Sequence, residues 1–227
     1  MRTILLFSSI VLMLMSMGCE NGSTTVSEEF DELYTMAQDL EQRGKPQVAN
    51  VIYGNLIKSY PEASKKQNLG AKVGDNSPSQ IIEDLKKSRL ENPDQYGLNR
   101  NEAFKYVDAC EAYAASAPND PQTPQYLFDA AEIAKLLRTY DKALGLYDRL
   151  ITDYPDFDKT PSALFIKAFT LENELGKTEE AKEAYEMFLE KYPENDFADD
   201  AQFSLENLGK TPEEVLKAIE EKNKQNQ

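Results

Sequence analysis

Histidine is absent from all 227 residues, which excludes Ser/His/Asp and Cys/His nucleophilic arrangements and every His-ligated metal site. Cysteine is nearly absent. Of the two present, Cys19 belongs to an amino-terminal processing region, so the folded part keeps only Cys110 and cannot form an intrachain disulfide. Cys110 lies at helical spacing among Tyr106, Ala109 and Tyr113 and reads as a small core hydrophobe. Basic residues are few, 25 Lys plus Arg against 40 Asp plus Glu. Residues 1 to 18 hold one Arg and no acid, so the rest of the chain carries 24 minus 40, or −16. A chain of this charge repels nucleic acid and anionic lipid surfaces, and no nucleic-acid partner is expected. No apolar run is long enough to cross a bilayer. There is no phosphate loop, and the acidic clusters Asp153, Asp156, Asp158 and Asp196, Asp199, Asp200 lack the glycine and terminal Glu of a calcium loop. Neither a metal nor a cofactor is expected. Asp156 and Asp196 are read instead as carboxylates favoured at helix amino termini.

What is present begins with an export signal. Arg2 is followed by the apolar run Ile4 to Met15, interrupted only by Ser8 and Ser9, and then by Ser16-Met17-Gly18. Ser16-Met17-Gly18-Cys19 resembles the bacterial lipobox, although Leu is usual where Ser16 stands. The resemblance implies removal of residues 1–18, lipidation of Cys19 and a lipid-anchored, periplasm-facing or cell-surface protein of the outer membrane. Two or three acyl chains at roughly 0.8 kcal/mol per buried methylene anchor a soluble domain stably. Residues 19–27, ending in Glu20 to Ser27, are polar and small and read as a flexible tether. Thr25 with Glu28 suggests a capping box at the start of the first helix.

The folded part repeats itself. Ala143, Tyr147, Tyr154 and Pro155 recur 38 residues later as Ala181, Tyr185, Tyr192 and Pro193, and the same ladder stands earlier as Ala49, Tyr53, Tyr60 and Pro61. Ala49, Tyr53, Leu56, Ile57 and Tyr60 line one helical face, and each proline ends its helix. A second apolar helix precedes each ladder, carrying Leu33, Met36, Ala37 and Leu40; Leu127, Ala130, Ala131 and Ala134; or Phe165, Ala168, Phe169 and Leu175. The unit is an antiparallel helix pair. Gly44 and Gly176 suit the turns within two pairs, with Arg138-Thr139-Tyr140 in the middle one. Ser77-Pro78, Thr123-Pro124, Thr160-Pro161 and Thr211-Pro212 read as helix starts, with Gln80 and Glu214 completing capping boxes.

These units resemble tetratricopeptide repeats, which implies an all-α, right-handed superhelical solenoid of antiparallel helix pairs. The expected units are residues 28–62, 121–158 and 159–195. Residues 63–120 read as an irregular loop, with 64–77 polar and locally basic, plus a degenerate helical repeat. Residues 196–227 read as closing helices. Phe169 stands where the family prefers a small residue, which implies a wider third pair. In such solenoids the first helices line a concave groove. Its partner-binding residues here would be Tyr34, Gln38 and Glu41; Phe128, Glu132 and Lys135; and Ile166, Thr170 and Asn173, with Tyr34, Phe128 and Ile166 as anchors. The carboxylate clamp of some family members is not matched. The implied function is a non-enzymatic scaffold that binds an envelope protein or peptide segment. Helical-repeat lipoproteins of the outer-membrane β-barrel assembly machine and the coordinator of the Tol-Pal division system are similar in outline. A glycan-binding or hydrolytic surface lipoprotein with an acidic groove is the alternative.

Overall fold

The computed structural model describes residues 22–95, 97–211, 213–217 and 220. The export signal and Cys19 lie outside them. Among the described residues there are eleven helices and no strand. They are α1 (Gly22–Gln42), α2 (Pro46–Ser59), α3 (Pro61–Lys66), α4 (Leu69–Val73), α5 (Pro78–Ser88), α6 (Arg100–Ser116), α7 (Thr123–Leu136), α8 (Tyr140–Asp153), α9 (Thr160–Asn173), α10 (Thr178–Lys191) and α11 (Ala198–Asn207), with residues 213–217 also helical. The hairpins α1–α2, α5–α6, α7–α8 and α9–α10 stack in chain order, and α11 packs on α10. This is the solenoid of helix pairs expected from the repeats.

The three ladders adopt one conformation. Ala49, Ala143 and Ala181 are fully buried, as are Tyr53, Tyr147 and Tyr185, so the small residue permits close helix approach and the ring fills the space beyond it. Tyr60, Tyr154 and Tyr192 each cap the second helix with nearly the same backbone, φ −132, −132 and −133° and ψ 62, 56 and 51°. Pro155 and Pro193 follow helix ends as expected. Pro61 instead opens α3.

The turns within the first two ladder-bearing pairs are Schellman endings. Lys45 N–H donates to the Leu40 carbonyl and Gly44 N–H to Glu41; Thr139 N–H donates to Ala134 and Arg138 N–H to Lys135. The left-handed residue is Gly44 (φ 75°) in one and Arg138 (φ 61°) in the other. A side chain in that region costs roughly 1–2 kcal/mol. In the third pair Gly176 is left-handed (φ 62°) and Lys177 N–H reaches back to Leu171, one residue further than in the others.

Several expectations need correction. The first helix begins at Gly22, so residues 22–27 are not a tether and Thr25 is not its cap. A hydrogen bond per added residue carries a helix through Ser and Thr once its nucleus exists. Residues 64–77 are not a loop throughout. They include the second half of α3 and all of α4, because Leu69 and Val73, one helical turn apart, are buried and α4 packs on α2. Thr123 and Thr160 do not cap the helices they begin. Their hydroxyls donate backwards, to the carbonyls of Ala117 (2.6 Å) and Tyr154 (2.7 Å), and tie each junction between pairs. Turn capping falls to Asp120, which accepts from Gln122 N–H, and Asn195, which accepts from Phe197 N–H. Ser77 and Thr211 do cap, and Thr211 forms the reciprocal box with Glu214. Phe169, expected to widen the third pair, is instead 47% exposed rather than buried between its helices.

The second hairpin is irregular but fully integrated. Gly54 of α2 lets Pro78 of α5 approach so closely that a methyl group there would stand 2.7 Å from the proline Cγ. Asn55 of α2 donates to Ser116 of α6 at 2.9 Å inside the core, and Cys110 is buried there, as its spacing implied. One continuous apolar core runs from Phe30 to Leu150 and takes in Ala163. A smaller cluster, Leu144, Leu164, Ala168, Leu171, Ala181, Ala184, Tyr185, Phe188 and Ala201, holds the carboxyl-terminal helices.

Candidate partner-binding groove

Each repeat tyrosine reaches through its own hairpin to a carboxylate on the first helix. Tyr53 O–H donates to Glu41 Oε2 at 2.8 Å, Tyr147 O–H to Glu132 Oε1, and Tyr185 O–H to Glu172 Oε2 at 2.8 Å. A fully buried phenol needs such a partner, and a charged acceptor is a strong one. Burial, reinforced by Glu132, holds Tyr147 far above the ordinary tyrosine range. Burial also raises Tyr53, with Glu41 adding to it. Glu41 in turn is held below the usual carboxylate range, chiefly by its hydrogen bond from Lys72 at 2.6 Å.

These bonds reassign several groove residues. Glu41 and Glu132 orient the core tyrosines, and Lys135 pairs with Glu132 at 3.2 Å. Thr170 is fully buried and its hydroxyl donates to the Ile166 carbonyl at 2.7 Å, so it faces the array and not the groove. Tyr34 is half-buried, stacked on Phe30 at 5.8 Å and tilted against Tyr53 at 5.9 Å. No ring contact joins it to Phe128 among the described residues. The α5–α6 hairpin separates their units in the chain, and α6 packs between α2 and α7. Gln38 and Asn173 are exposed, with the Asn173 amide donating to the Phe169 carbonyl. Phe128 and Ile166 are half-buried at the edge of the main core. The ammonium of Lys159 sits 5.2 Å above the Phe128 ring and also donates to Gln125.

Sequence reasoning missed the most prominent apolar group on this surface. Ile166, Phe169 and Asn173 follow one another at helical spacing on the outer side of α9, and Phe169 is the exposed apolar member. Phe165 lies one turn before it, with ring centroids 6.5 Å apart, and Phe197 stacks on Phe165 at 4.8 Å and 10° from across the next junction. The signal was the misfit itself, a large ring at a position the repeat pattern keeps small. The arrangement offers apolar contact area and no cluster of reacting groups.

The tetratricopeptide-repeat family model matches residues 125–156 and 162–195, which are the α7–α8 and α9–α10 hairpins. The match covers these two hairpins and no other part of the chain. No curated protein matches the chain.

Proposed function

We propose that the chain is a membrane-tethered docking scaffold whose first helices hold a segment of another envelope protein. Tetratricopeptide repeats bind protein partners generally, and the observation that carries the reading here is the exposed ring of Phe169, together with half-buried Phe128 and Ile166, on the first helices of two matched repeats. An exposed aromatic group flanked by half-buried apolar neighbours is the kind of anchor that dominates binding energy. In this reading lipidation of Cys19, at a sequence that resembles a lipobox, supplies the tether, and envelope assembly or division is the work proposed for it.

The test is affinity capture from detergent-solubilised envelope with the full chain and with Phe128→Ala/Ile166→Ala/Phe169→Ala. The expected outcome is loss of the captured protein from the variant, at unchanged helical content by circular dichroism. An identical captured set rules the groove out. The mass of the membrane-extracted protein checks the anchor, which an unmodified amino terminus would refute.

A further inference from the structure

Exposed apolar residues and surplus negative charge coincide at one end of the solenoid. Residues 160–217 carry fourteen acids against six bases, whereas residues 28–159 carry twenty-three against sixteen. Among the described residues Lys167 is paired with Asp148 at 2.5 Å, Lys177 with Glu180 at 3.1 Å and Lys182 with Glu186 at 4.0 Å. Carboxylates flank the Phe197 end of the strip of Phe165, Phe169 and Phe197: Asp196 precedes Phe197, and Asp199 and Asp200 occupy the first turn of α11, all three exposed. Lys167, between Phe165 and Phe169, is paired with Asp148. The strip is the chain's own addition to the repeat pattern, since it depends on Phe169 at a small-residue position and on Phe197 in a junction.

We infer that this aromatic strip takes a cationic amphipathic segment of the partner, with Leu-like side chains against the rings and Lys or Arg over the surrounding carboxylates. The inference rests on the docking reading and deepens it. Apolar contact supplies most of the affinity, and the charges select the sign of the partner and speed its approach. An acidic segment with the same apolar spacing is repelled. A second copy of this chain, bearing the same surplus of acid, is repelled as well.

Three short synthetic helices test this by fluorescence anisotropy against the full chain in detergent: Lys and Leu at amphipathic spacing, Glu and Leu at the same spacing, and Lys with Ser in place of Leu. The Lys–Leu helix should bind, with affinity falling as salt rises. The other two should bind at least about tenfold more weakly. Phe169→Ala, at a residue exposed enough to leave the fold intact, should weaken the Lys–Leu helix by about tenfold. Asp199→Asn/Asp200→Asn should flatten the salt dependence. Equal binding of the Glu–Leu or Lys–Ser helix overturns the inference, as does full binding by Phe169→Ala. The two readings separate cleanly. If the groove variant loses its envelope partner and yet the Lys–Leu helix never binds, docking stands and the cationic partner is overturned. If the Lys–Leu helix binds through Phe169 while envelope capture is unchanged, the inference about the strip is supported and the wider groove fails.

Discussion

The α1–α8 region and the α9–α11 region are built from the same hairpin but hold it differently. The first shares a single core in which Tyr53, Tyr106 and Tyr147 are fully buried and in which α3 and α4 add Leu69 and Val73. The second rests on the small cluster around Tyr185 and Phe188 and leaves Phe169 and Phe203 about half exposed. In a solenoid each hairpin touches only its neighbours, so stability is a sum of local terms and the thinner end opens first. The irregular hairpin strengthens the array, because its departures from the repeat pattern bring extra apolar groups and the close Gly54–Pro78 contact.

The sharpest way to break this contrast is to remove a matched pair of rings. Truncating a fully buried aromatic costs about 3–5 kcal/mol. Tyr147→Ala should therefore destabilise the whole α1–α8 core. Tyr185→Ala, the same change 38 residues on, should release α9–α11 while α1–α8 keeps its protection. Hydrogen exchange resolved by segment checks both, and uniform loss of protection in Tyr185→Ala would show that the two regions are one cooperative unit.

Alkaline pH probes the same rings without mutation. Tyr53, Tyr106, Tyr147 and Tyr185 are all held above the ordinary value of 10, by burial first, and Tyr60 and Tyr113 are pushed up to about 12. A folded pKa above the unfolded one means that this stability is fully present below pH 10 and is lost as the pH rises beyond it. Tyrosinate absorbance should lag a free-tyrosine titration and then rise together with the loss of helical circular dichroism. A gradual rise ahead of unfolding would contradict the burial.

Much of this was legible in the residues. Alanine, tyrosine and proline at fixed spacing disclose which helices pair, and Gly44 and Gly176 mark their turns, because close approach and a left-handed ending each demand a particular residue type. The helix α4 was hidden because its only apolar signal is Leu69 and Val73 in a polar stretch. The groove was read only in part. Spacing identifies a helix face, but the rotation of α9 against its neighbours decides that Thr170 turns inward and Phe169 outward. The role of Glu132 was likewise invisible, since its partner Tyr147 lies across the hairpin.

The smallest effect sharpens the comparison of the turns. Arg138→Gly replaces a left-handed arginine by the residue found in the equivalent turn at Gly44, and should stabilise the protein by about 0.5–1 kcal/mol. Urea denaturation at unchanged slope measures it.

The hydroxyls of Thr123 and Thr160 each latch one joint of the array, but the corresponding first residue of α11 is Ala198, which has no hydroxyl and makes the backbone bond from its N–H to Asn195. Stiffness therefore grades along the molecule. The last joint is held by the Asn195 turn and by the stack of Phe197 on Phe165, so a load arriving at the far end passes through that pair of rings.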